Sequence, residues 1–193
     1  MIAPQSEKPV LFFSGKGAWL TWLARNHAKS SGVLLRFAKK ASGVKSITYD
    51  QALDVALRYG WIDGQSKSDG AEYWLQKFTP RGKRSIWSKR NREKALALIE
   101  SGQMRRAGLA EVERAKKDGR WEAAYDSPSR ATVPNDLEAA LSENVAARAF
   151  FNTLDSRNRY AILFRIHTAK KPETRAKRIR EFVAMLARNE KLH

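Results

Sequence analysis

A chain of 193 residues with 42% hydrophobic and 10% aromatic side chains can close a packed interior, as one domain or two small lobes, which excludes wholesale disorder. Lys and Arg number 37 against 20 Asp and Glu, and the formal charge of +17 makes polyanions the natural counterparts: nucleic acid, anionic lipid headgroups or acidic proteins. With no Cys there is no disulfide, thiolate metal site or Cys nucleophile, and no apolar run nears the ~20 residues that span a bilayer.

The N-terminal VLFF run is too brief for a signal-peptide core and no small-residue cleavage pattern follows it, so a cytoplasmic protein is expected. Ser14 fits a helix N-cap with Phe13 as its staple, ahead of Trp19, Leu20 and Leu23 at helical spacing. After Gly32, Val33 to Phe37 is branched and short enough for a strand. Lys39, Lys40 and Gly43 follow as a basic loop. Thr48 to Gln51 is a capping box, and Ala52, Leu53, Ala56 and Leu57 carry that helix to Gly60. Asp63-Gly64 suits a turn with a left-handed residue. Glu72 to Thr79 alternates and reads as a strand facing Val33 to Phe37, ended by Pro80.

A helix from Ser85 or Ser88 runs through Ala95, Leu96, Leu98 and Ile99 to Gly102. Gly108 to Lys117 forms another, with Leu109, Val112 and Ala115 inward, ending at Gly119. Residues 120–136 lack a helical period and suit a linker, although Trp121 and Tyr125 argue that it packs. Helices are then expected over Leu137 to Leu141 with Pro134 in the first turn, over Val145 to Leu154, and over Arg157 to Thr168 capped by Asp155 or Ser156. A last helix opens at Pro172-Glu173, with Ile179, Phe182, Val183 and Leu186 at 3–4 spacing. The fold class is therefore mainly α with a small antiparallel β-sheet (α+β). An N-terminal α/β lobe over 1–120 would carry a helical C-terminal lobe over 121–193 packed on it.

Four long segments, SITYDQALDVALRYGWIDG, FTPRGKRSIWSKRN, AGLAEVERAKKDGRWEAAYDSP and NRYAILFRIHTAKKPETRAKRI, together resemble the bacterial YdeI / OmpD-associated family, also labelled bacteriocin-protection. The likeness runs from about Phe13 to Leu192, and residues 123–187 look like the family's defining domain. One departure is Arg58-Tyr59, where Cys-Phe is common in the family. The resemblance implies a role in tolerating bacteriocins or cationic antimicrobial peptides, and a link to an outer-membrane porin. It carries over no catalytic residue and no cofactor.

The segment Ser46 to Asn91 interleaves aromatics with charge, as a concave polar-aromatic site would. Asp63 reads as a ligand acceptor or as a turn Asp bonding its own backbone. Trp61 reads as a stacking platform or as a core plug. Around Trp87 stand Arg81, Lys83, Arg84, Lys89, Arg90 and Arg92, with Ser85, Ser88 and Asn91 as polar partners. Beside a helix start these would suit phosphate or carboxylate, or equally form a solvated basic face. The ligand-binding set expected on this reading is Trp61, Asp63, Lys67, Arg81, Arg84, Trp87, Ser88, Lys89, Arg90, Asn91 and Tyr125, gathered into one positive hollow. Its partner would be an anionic small molecule or an acidic protein. Single-stranded nucleic acid is the alternative partner, and a reaction at the GWIDG segment, with Asp63 or Glu72 as the titratable group, is the alternative activity. The basic helix near Lys171 to Arg180 reads as a grip on an anionic surface or as ordinary surface charge. HExxH, GxSxG and Walker A patterns are missing, and no metal site is expected.

Overall fold

The computed structural model describes residues 8–193, and the signal-peptide reading of the N-terminus lies in part outside the described residues. Two compact units emerge. The first comprises the chain through Trp87 together with Asn91–Ala123, the second Ser88–Arg90 with Ala124–His193. With eight α-helices and four strands among the described residues, the fold is α+β.

In the first unit, β1 (Val10–Phe12), β2 (Val33–Ala38), β3 (Trp61–Asp69) and β4 (Tyr73–Pro80) form one sheet in the order β1-β2-β4-β3. β2 and β4 pair antiparallel, Val33 against Phe78 and Phe37 against Trp74, in the arrangement that their alternation predicts. Two expectations are corrected. VLFF supplies an edge strand, and because β1 runs parallel to β2 the sheet is mixed, not purely antiparallel. The GWIDG segment is the start of β3 rather than a turn. Gly60 (φ 72°) takes the left-handed conformation, and Asp63 pairs with Phe78 before a register shift that separates it from Ser66.

Helices cover this sheet. α1 (Lys16–Asn26) buries Trp19 and Leu23, but its N-cap is Gly15 with no side-chain bond, so Ser14 does not cap it. α2 (Tyr49–Arg58) starts at the expected capping box. Thr48 Oγ1 accepts from the Gln51 amide at 3.3 Å while the Thr48 amide donates to Gln51 Oε1 at 3.2 Å. α4 (Arg106–Lys117) buries Gly108, Val112 and Ala115, whereas Leu109, one residue round the helix from Gly108, faces solvent.

The second unit is helical: α5 (Asn135–Ser142), α6 (Val145–Thr153), α7 (Ser156–His167) and α8 (Pro172–Ala187). α3 (Lys89–Glu100) begins here and continues in the first unit. Pro134 is the N-cap of α5 rather than a first-turn residue. Asn144 and Asp155 cap α6 and α7 by accepting backbone N–H bonds from Ala147 and Asn158. Leu137, Leu141, Phe151, Ile162, Ile166, Ile179, Phe182 and Leu186 form the core. Beside it the buried Asn158 exchanges hydrogen bonds with the backbone of His193, through its Nδ2 to the carbonyl (3.2 Å) and its Oδ1 from the amide (2.9 Å). Among the described residues no helix is long and apolar enough to cross a membrane.

Candidate functional site

The indole rings of the predicted set are core. Trp61 is 1% exposed and meets Trp19 and Trp22 edge-on, with its N–H donating to the His27 carbonyl at 3.1 Å. Such a bond is what permits a ring that large to be buried. Trp87 is equally closed off. The Arg81 guanidinium lies 3.5 Å above its ring and Trp121 packs against it edge-on at 4.9 Å. Neither ring presents a face to a ligand, which corrects the picture of a hollow walled by indoles.

The basic residues near Trp87 are largely spent on holding the loop before α3. Arg81 Nη1 donates to the Ile86 carbonyl, and Arg114 reaches the carbonyls of Arg81 and Gly82 as well as Glu111. The buried Arg120 grips Asp118 with Nε and Nη2 and donates to the Ser85 carbonyl at 2.6 Å. That grip holds the Asp118 carboxyl below the usual carboxylate range. Burial pushes Glu111 up, against the pull of Arg114, Arg81 and Arg120. Arg92 donates to the Trp121 carbonyl, and Asn91 is buried.

The remaining members of the set divide between the units. Asp63 accepts from the Tyr49 hydroxyl at 2.8 Å, and Lys67, Glu72 and Arg84 are exposed. In the second unit, Lys89 pairs with Asp126 at 2.7 Å, Ser88 bridges to Tyr125, and Arg90 is exposed. Arg58, at the position that departs from the family pattern, is buried and donates to Gln103.

Two concavities stand elsewhere. In the first unit an open groove of about 420 Å³ is lined by Lys39, Lys40, Lys45, Val44, Tyr49 and Trp74, among others, and no carboxylate belongs to its lining. β2 and the 3₁₀ turn after it place the lysines, and β4 places Trp74, stacked on Phe37 at 4.6 Å. Lys39 Nζ donates to the Gly70 carbonyl. Lys40 and Lys45 have no hydrogen-bond or ion-pair partner among the described residues, so their charges are available to solute. The sequence signal was the Lys-Lys-Ala-Ser-Gly-Val-Lys loop, and only the β2–β4 pairing shows that Trp74 stands beside it.

The second unit has a smaller cavity of about 140 Å³, lined by Tyr125, Asp126, Tyr160, Phe164, His167 and Arg175 with Ala131 and Pro134. Tyr160, Phe164 and His167 sit at helical spacing on one side of α7, a stripe visible in the sequence but indistinguishable there from core. The Tyr160 hydroxyl donates to the Asp126 carbonyl at 2.9 Å. Burial, with Tyr125 and Asp126 adding to it, lifts the phenol pKa to about 12.

Comparison with known proteins bears on both units. Residues 11–111 match a family described as Domain of unknown function (DUF8412), and residues 130–189 match one described as Bacteriocin-protection, YdeI or OmpD-Associated. No curated protein and no solved structure matches the chain. The first match covers more than half of the 193 residues and the second most of the helical unit. The chain therefore belongs to the family of that domain of unknown function, and its C-terminal part is a YdeI or OmpD-associated, bacteriocin-protection domain.

Proposed function

We propose that the protein helps a bacterium tolerate bacteriocins or cationic antimicrobial peptides by binding an anionic small molecule or an acidic partner in the first unit's lysine groove. The observation that carries this reading is the lining itself, with three ammonium groups and three aromatic rings around an open hollow whose lining has no carboxylate. Such a surface concentrates anions by its field and desolvates them little, so binding is fast and salt-sensitive. The exposed cations Lys67 and Arg84 add to the first unit's positive field, and Arg90 to the second's. Direct capture of cationic peptides is disfavoured, because a chain of +17 repels them. Protection is then indirect, through an anionic metabolite, regulator or envelope component, and the proposal includes a cytoplasmic location.

Calorimetric titration with pyrophosphate and with citrate tests this. Lys40→Glu/Lys45→Glu, at exposed positions, should fold normally and bind at least tenfold more weakly, two contacts of about 0.7 kcal/mol each. Unchanged affinity in that variant removes the groove from the reading. The lysines beside Trp74 and Tyr49 also favour a second reading, stacking of single-stranded nucleic acid. A homopolymeric oligonucleotide bound far more tightly than pyrophosphate, with a steep dependence on log salt, would select it.

A further inference from the structure

The cavity of the second unit is smaller and more enclosed than the anion groove. It is small and half-enclosed, and its walls are aromatic: Tyr125 meets Phe164 edge-on (5.1 Å, 89°), and Tyr160 leans on Phe164 at 5.8 Å. A volume of about 140 Å³ matches one six-membered ring, since apolar cavities of roughly 150 Å³ take up benzene. Ring edges and faces set at these angles favour another ring over an aliphatic group of the same size.

The polar groups of the wall define the rest of the ligand. Asp126 is already neutralised by Lys89, and the Tyr160 hydroxyl is committed to the Asp126 carbonyl. Arg175, half-buried, is held in a fixed orientation: Nε and Nη2 donate to the two Asp136 oxygens at 2.6 and 2.8 Å, and Nη1 donates to the Ile166 carbonyl at 3.1 Å. Those three bonds use three of the five guanidinium hydrogens. One hydrogen on each of Nη1 and Nη2 is left, and these can donate to the carboxylate of a ligand.

We propose that this cavity is a binding site for a monocyclic aromatic carboxylate, its ring against Tyr125, Phe164 and Tyr160 and its carboxylate on the remaining Nη hydrogens of Arg175. The site lies wholly within the second unit and is independent of the lysine groove. A benzoate-class anion needs both halves of the wall. The ring alone forgoes the charge-assisted pair, and a saturated carboxylate forgoes the edge-to-face packing.

The test is an NMR titration of the full-length protein with benzoate, with benzyl alcohol and cyclohexanecarboxylate as comparators. Benzoate should shift the Tyr125, Tyr160 and Phe164 ring resonances saturably, at least tenfold more tightly than either comparator, and leave Trp74 unmoved. Ala131→Leu fills the cavity and should abolish those shifts. Arg175→Lys keeps the charge, loses the fork, and should weaken benzoate at least tenfold while changing benzyl alcohol little. Absence of saturable shifts at those rings with millimolar benzoate overturns the proposal. So does equal affinity for all three probes, or binding that survives both substitutions. Should Ala131→Leu fail to fold, the probe comparison and Arg175→Lys decide alone. Shifts confined to Trp74 would assign benzoate to the lysine groove and likewise overturn the site.

Discussion

Gly108 is the residue on which the first unit's helix packing can be tested most sharply. It lies in α4, where alanine is ordinarily the better helix former by up to about 1 kcal/mol. Here the substitution should act in the opposite direction. A Cβ at Gly108 would come to 2.5 Å from the Arg58 carbonyl oxygen, 2.7 Å from that of Leu57, and 2.4 Å from Met104 Sδ. The sulfur can swing away, but the carbonyls are the last turn of α2 and cannot. Arg58 O already accepts from the Arg105 amide at 3.1 Å, so the negative end of α2 is docked on the positive start of α4. Restoring ordinary contact of about 3.5 Å requires α4 to back off by up to roughly 1 Å, and overpacking of that order costs ~1–3 kcal/mol. After the propensity gain, Gly108→Ala should lose about 1–2 kcal/mol, or a few degrees in Tm. Gly17, exposed in α1 with nothing within 4 Å of its Cβ position, is the control, and Gly17→Ala should be neutral or gain up to ~1 kcal/mol. All six Trp residues belong to the first unit, so denaturant unfolding followed by Trp fluorescence reports on it specifically. A Gly108→Ala protein as stable as the parent would refute the close docking of α2 on α4.

Three further outcomes follow from the same geometry. Trp61→Ala should cost about 3–5 kcal/mol in the first unit, since it empties a fully buried site and orphans the His27 carbonyl; a loss under 1 kcal/mol would mean the ring is not core. Asp155→Ala should destabilise the second unit by ~0.5–2 kcal/mol, because it leaves the Asn158 backbone amide uncapped and leaves the Asn158 side chain only the His193 carbonyl as acceptor; thermal unfolding by circular dichroism measures it. Tyr160, raised to about 12 in the folded chain against ~10 unfolded, contributes stability that is whole below about pH 10 and drains away as pH climbs toward 12. Spectrophotometric titration near 295 nm should show a late tyrosine ionisation that Tyr160→Phe removes.

Local signals in this chain are legible wherever a few adjacent residues decide the structure. The Thr48–Gln51 box, the Asp155 cap, the Pro172 opening and the pairing of β2 with β4 all rest on side chains that act on their own backbone or on a strict alternation. β3 is not legible in the sequence because its exposed half, Gly64 to Ser68, is polar and unpatterned; only the β4 ladder makes it a strand. Whether Trp61 and Trp87 are ligand platforms or core is hidden for a related reason. Trp, Arg and Gly in one stretch describe a ligand hollow and a cation-π-packed loop equally well, and linear spacing carries no information on which face of a ring is covered.

By itself, the order of residues determined the helical periods, their caps, the charge of +17 and kinship with a bacteriocin-protection family, because each is a property of neighbours or of sums. Which aromatics are interior and which line a cavity was decided only in three dimensions. Arg81 covers Trp87, α1 closes over Trp61, and the Phe164 ring of α7 meets Tyr125 across 39 residues of chain (164 − 125). Burial depends on what arrives from distant parts of the sequence, and that is set when the elements pack.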